Sequence, residues 1–505
     1  MKAVRIISLV VVIFLAPGIL NAQVAEPHGK KKIEILHTDQ MLTSKGEMRR
    51  LLGNVKFRHK ETFMTCDSAH LYPDSELVEA YSKVHIYKGD SLHLYGEYLL
   101  YDSEAEFARV SDSVTLIDNQ TILYTDHIDY DMIKETAIYT DGGRIINEDN
   151  VLTSITGIYH TESEIFNFKD SVKLVNPDYT MYSDTLEYNT ITEVAYFLGP
   201  SRVIGDSILI RCNRGWYDTK KEVSLLLDDA FIDNKTQIVT GDSLYYEREN
   251  GYGTAHYDVT IRDQEQDIIV KGNKSWYYRD PERFMITDSA QFIQISGDDY
   301  LFLHADTLRS ATVIDSTREY RLVRAFYGCR IYNDDIQAKC DSLSYSFRDS
   351  VIHLYHEPVL WSGANQLFAD SMALITKNQT MHKMELYNNA FVIEKVDSSR
   401  YNQLKGRNLY GYFRDNEMYR IEIRGNSEKI YFAVEGNMLM GVDRSTCANM
   451  DILLDEGEIS DIYMFENPEG TLDPPLYKMP SLSRLENFSW HEALRPKNRF
   501  DIFRK

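Results

Sequence analysis

The chain is short of the residues that would mark several common classes. Its five cysteines (Cys66, Cys212, Cys329, Cys340 and Cys447) are too few for a disulfide scaffold and one too many for full pairing. No CxxC occurs, which removes zinc ribbons and thioredoxin-type redox sites. Cys329 and Cys340 are spaced so that a hairpin would bring them together, as a bridge or as two thiols. Positive charge is also scarce: 55 Lys and Arg stand against 77 Asp and Glu, a formal net charge of −22. That balance argues against nucleic acid, whose phosphates need a basic footprint, and against simple docking to anionic membranes. Beyond the first residues no apolar run approaches the ~18 residues of a membrane helix. No segment keeps a 3.6-residue apolar period, so no amphipathic helix is expected. His491 and Glu492 do not form HExxH, and no GxSxG, phosphate-loop or dinucleotide-binding glycine pattern appears. The chain is therefore read as a non-enzyme, with neither cofactor nor metal.

What is present begins with an export signal. Lys2 and Arg5 precede "IISLVVVIFLA", and "LNA" ahead of Gln23 offers a small-residue cleavage site. Residues 1–22 are read as a cleaved signal peptide and 23–32 as a short linker. The expected location is the periplasm, in association with the cell envelope.

Tyrosine is abundant, at 35 residues, and favours strands. The stretches "YSDTLEYN" (182–189), "TGDSLYYE" (240–247) and "KCDSLSYS" (339–346) repeat one theme. Their shared position recurs at Asp67, Glu97, Asp126, Ile155, Asp184, Asn213, Asp242, Asn273, Asp306, Asp341, Asp370 and Arg407, with steps of 29 to 31 residues as far as Asn273 and of 29 to 37 after it. A fixed period of this size marks a stacked repeat architecture. The position before this anchor is always small, from Cys66 and Gly96 to Gly406. Three before it the residue is always apolar, as at Leu94, Leu123, Leu152, Met181, Ile210, Val239, Val270, Leu303 and Leu367. Polar or tyrosyl residues alternate with these, the mark of a strand with one buried face.

After the anchor the phase slips. Leu186, Leu244 and Leu343 stand two residues on, and Tyr188, Tyr246 and Tyr345 four on. Both sets can face a core only if the strand bends or bulges at the anchor, where Asp and Gly are suited to a corner. Second and third short strands follow, for example "EAEFARV" (104–110) and "DSVTLID" (112–118), giving roughly three short strands per repeat and an all-β chain. The anchor aspartates are read as turn residues and not as a calcium array, since Ile155 and Arg407 occupy the same column.

An aspartate-leucine-tyrosine strand, an "AxF" strand and a "GxVxI" strand in each repeat resemble the OstA-like family of LptA and the periplasmic part of LptD. The matching pieces include 51–72, 304–310 and 340–372, and the resemblance covers roughly residues 33–440. It implies an elongated OstA-like β-jellyroll, folded like a taco, that shelters the acyl chains of lipopolysaccharide or a lipid A-type amphiphile. It further implies edge-strand pairing with other Lpt-type components, or end-to-end self-association, at edges expected near 33–60 and 425–465. The nine apolar column residues named above would line the trough. One repeat segment is placed at 33–310 and a second at 311–466, because the steps stretch between 273 and 341. No outer-membrane barrel follows: the tail, 467–505, holds five of the twelve prolines. It is read either as a partner-binding segment or as a clasp over the last rung. The rival function is an exported, non-enzymatic β-solenoid that binds polysaccharide or serves in adhesion.

Overall fold

The computed structural model describes residues 33–474 and 484–504, apart from short stretches at 44–47, 91, 316–317, 378–379, 415–416, 436–437 and 456–457. The signal peptide and the linker, residues 1–32, lie outside the described residues. Among the described residues there is no α-helix; strands are joined by tight turns, every pairing is antiparallel, and two 3₁₀ turns occur near the C-terminus. The chain forms two compact units, Met1–Asn119 with Asp129–Lys134, and Gln120–Ile128 with Glu135–Lys505.

Each repeat is a β-hairpin. In the first unit Leu92–Asp102 pairs with Phe107–Asp118, and Leu77–Lys88 flanks it on the other side. The segments 104–110 and 112–118, expected as separate short strands, run together as Phe107–Asp118. The repeat thus holds two long strands, each bent in the middle. The turns explain the count. Asp102 accepts hydrogen bonds from the backbone N–H groups of Glu104 and Ala105, closing the chain on itself within four residues. In the second unit the turns stack: the hydroxyls of Thr161, Thr190 and Thr219 donate to the carbonyls of Glu135, Glu164 and Glu193. One hairpin therefore advances the chain by one 29-residue step.

The bend lies where the sequence places it, but the extra residue sits on the facing strand. Opposite the anchor Glu97, Ser82 and Lys83 both adopt positive φ, as do Asp112 and Ser113. In the second unit Asp170–Ser171, Asp228–Asp229, Tyr257–Asp258, Asp288–Ser289 and Asn388–Asn389 do the same. Two left-handed residues against one extended residue make a bulge that turns both strands through a corner. Short polar side chains tolerate that conformation best, so Asp, Asn and Ser dominate the facing positions. The small residue before each anchor lies inside the corner. A Cβ on Gly96 would strike Val110, and one on Gly406 would strike Ile423.

In the second unit some corners are sharp enough to split a strand in two, as between Thr136–Tyr139 and Gly143–Asn147, or Val194–Phe197 and Ser201–Gly205. From Arg283 to Tyr332 the strands instead lengthen: Arg283–Ser296, Asp299–Ile314 and Glu319–Tyr332. That lengthening accounts for the stretched spacing there, and the ladder continues across it through pairs such as Ser310↔Val323. The outermost strands among the described residues are Glu34–His37 and Gln40–Thr43 in the first unit. In the second they are Glu458–Phe465 and Glu469–Asp473.

The tail folds back as a strap on the outer face of the second unit's sheet. Three buried glutamines fix its path from strand Tyr401–Arg414 back towards strand Asp299–Ile314. The Leu485 N–H donates to Gln403 Oε1 at 2.8 Å. Gln366 donates to the Ser489 carbonyl at 2.7 Å and accepts from the His491 N–H at 2.6 Å. Arg495 Nε donates to Gln337 Oε1 at 2.8 Å. Ile502 then closes a small core with Ile293 and Phe302. Gln337, Gln366 and Gln403 are almost wholly buried, and such amides are kept only when their hydrogen bonds are met.

Candidate functional site

The nine predicted lining residues all fall on the inward face of the bent strands. Leu94 belongs to the first unit, where it pairs with Leu116. There it borders a cavity of about 240 Å³ that His59, Ile86 and Tyr130 also line. The other eight share one row of the second unit. Strand register joins Leu123 to Ile145, Leu152 to Leu174, and Met181 to Val203. It then joins Ile210 to Ile232, Val239 to Ile261, Val270 to Phe292, Leu303 to Ile331, and Leu367 to Val392. Every position of the row is apolar. The residues that reasoning from sequence missed, such as Ile145, Val203, Ile232 and Ile261, come from the return strand of each hairpin. Their signal was the alternation in segments like "YDVTIRD" (257–263).

The row is not uniformly covered. Leu123, Leu152 and Met181 are buried, as are Leu303 and Leu367. Between them Val203, Ile210, Ile232, Val239, Ile261, Val270 and Phe292 are all half-buried. Self-packing would predict the reverse, since a central stretch of a ladder has neighbours on both sides. The other arm of the bent strands offers tyrosines over the same stretch: Tyr217, Tyr246 and Tyr277, each half-buried. The two arms meet where Tyr179 touches Tyr217, ring centroids 6.3 Å apart in an edge-on arrangement. Burial pushes the phenols of Tyr179, Tyr217 and Tyr277 above their ordinary value, and that of Tyr188 to about 12. They remain neutral at any physiological pH, so the half-buried aliphatic row and these tyrosines present uncharged side chains on the two arms.

Two further features of the sequence lie away from this row. Cys329 and Cys340 are direct register partners, yet all five cysteines are free and buried. Burial pushes the Cys66 thiol up to about 12 and that of Cys212 to about 11, which leaves them inert packing groups. The anchor carboxylates lie at the corners, spread along the ladder. Among the described residues no group of three or more His, Cys, Asp or Glu side chains is placed to hold a metal ion.

No curated protein matches the chain. Residues 30–184 match the family described as OstA-like protein. The bent hairpins of that stretch continue with the same register, the same inward column and the same 29-residue turns well beyond residue 184. The chain is thus similar to OstA-like proteins over residues 30–184, the stretch in which its repeat pattern begins.

Proposed function

We propose that the chain is a periplasmic carrier that shelters the acyl chains of lipopolysaccharide, or of a similar amphiphile, during outer-membrane assembly. One observation carries the reading: the apolar row of the second unit is half-buried from Val203 to Phe292 and buried before it. An acyl chain laid against that stretch sheds water at a gain of about 0.8 kcal/mol per CH₂. The neutral tyrosines opposite provide surface without a charge that a hydrocarbon would have to desolvate. The OstA-like match supports the cargo class. The outermost strands expose the apolar side chains Met41 and Leu42 at one edge and Tyr463 and Leu472 at the other. An Lpt-type component, or a second copy, would join there by adding strands to an open edge.

Depletion of the protein in the cells that make it tests the reading. Failure of amphiphile export sensitises cells to detergents and to hydrophobic antibiotics. An unchanged barrier after depletion would overturn the carrier role and leave an exported scaffold.

A further inference from the structure

The outer face of the same sheet carries a row of opposite character. In the second unit Arg144 pairs with Thr153, Thr153 with Lys173, Lys173 with Tyr182, and Tyr182 with Arg202. Arg202 pairs with Arg211 and Arg211 with Phe231; Thr240 and Thr260 then lead to Lys271. Register partners share a face, so these side chains form one line across the strands. The line holds five cations and no carboxylate, in a chain of net charge −22.

Its centre is built in a way that packing alone does not explain. Arg202 and Arg211 are directly opposed, and like charges in that position destabilise a sheet. Among the described residues neither forms an ion pair within 4.0 Å. The two guanidiniums instead lean apart, Arg202 over the Tyr182 ring at 4.4 Å and Arg211 over the Phe231 ring at 4.0 Å. Stacking fixes each planar fork and leaves its N–H edge free for an oxyanion. Both line an open groove of about 1040 Å³, bordered at the corners by Asp229, Asp242 and Asp258.

We propose that this outer row binds a linear anionic glycan, with one of its carboxylates or phosphates held between Arg202 and Arg211. From Arg144 to Lys271 the row crosses nine ladder steps, ~43 Å at ~4.8 Å each, and so carries about one cation per 9 Å. That density suits a polymer charged at alternate sugars. Each nucleic-acid strand presents a phosphate every ~3.4 Å and calls for a denser basic footprint. The threonines between the cations supply hydroxyl partners for sugar, and the corner carboxylates confine the polymer to the basic side. The site is separate from the inward trough and does not depend on the carrier reading.

Fluorescence anisotropy of the full chain with a labelled hyaluronan oligosaccharide of about ten sugars, which carries one carboxylate on every second sugar, tests the proposal. The expected result is saturable binding that weakens as salt rises, no binding of a neutral dextran of equal length, and at least a tenfold loss in the Arg202→Gln/Arg211→Gln chain. Lys271→Gln, away from the groove, should lose two- to threefold, which keeps the test open if the double variant does not fold. Undiminished binding by both variants, no binding by the native chain, or tighter binding of a single-stranded DNA of equal length would each overturn it.

Discussion

Tyr179 and Tyr217 touch edge-on across the two arms of the bent sheet, their ring centroids 6.3 Å apart, at the border where the apolar row passes from buried to half-buried. The contact joins strand Tyr179–Asn189 to strand Arg214–Asp218, which lie on opposite arms there. The ring carries this contact, and no hydrogen bond of either hydroxyl takes part. Tyr217→Phe should therefore leave thermal stability unchanged, whereas Tyr217→Ala should cost about 1–3 kcal/mol through lost ring contact and area. Denaturant midpoints of the two variants measure the difference. Equal losses would assign the role to the hydroxyl.

The small column before each anchor is a steric requirement of the corner. A Cβ at Gly272 would lie 2.6 Å from Ile286 Cγ1, and Ile286 is fully buried. Gly272→Ala should destabilise by about 1–3 kcal/mol. In an Ile286→Ala background the same change should cost less, since the clash has lost its partner. A double-mutant cycle reads the coupling, and strict additivity would show that the two positions do not meet.

The strap hangs on Gln366. Its amide donates to Ser489 and accepts from His491, and Trp361 Nε1 also donates to it at 3.2 Å. Gln366→Leu leaves two N–H groups and a carbonyl without partners and should cost about 2–3 kcal/mol. The strap covers Trp361 and Phe391, both buried. Its release should shift tryptophan emission to the red and open 484–504 to protease. A variant with native emission and native protease resistance would mean that the strap is held by its apolar contacts alone.

Near the C-terminal rungs Arg420 and Arg424 both bridge Asp451 and Glu422. Burial raises the Asp451 carboxyl, but hydrogen bonds from Arg424 and Arg420 outweigh it and hold the group below the usual carboxylate range. A depressed carboxyl stabilises the fold above the unfolded value of ~3.9 and loses that contribution as pH falls through the lower folded value. Asp451→Asn should cost about 2 kcal/mol at pH 7, with the gap to the native chain closing below about pH 4. A gap that stays constant from pH 7 to pH 3 would show that the pair contributes no charge-dependent stability.

Much of this was legible in the residues. The 29-residue step, the small column and the apolar column each follow from one physical demand: a bent strand needs room at its corner and one dry face. The apolar column from Leu94 to Leu367 is legible because that demand recurs at every anchor. The bulge was misplaced onto the anchor strand because its true carriers, pairs such as Asp112–Ser113 and Asn388–Asn389, vary in identity and share only a left-handed backbone. Two short strands were read where Phe107–Asp118 is one, since a bulge breaks the alternation of side chains without breaking the strand. The strap's path was hidden because Gln337, Gln366 and Gln403 look like surface residues until a distant segment covers them. The cation row is illegible in the sequence for a similar reason: Arg202 and Arg211 become neighbours only through register.

On the carrier reading proposed above, an acyl chain lies against the inward row between Val203 and Phe292. Photo-crosslinking decides it most directly, with a benzophenone side chain placed singly at Val239, at Leu123 and at Thr240 and the adducts identified by mass. The account predicts a lipid-bearing adduct at Val239, which is half-buried and inward, and none at buried Leu123 or outward Thr240. Lipid captured equally at Thr240 and Val239, or at neither, would contradict it.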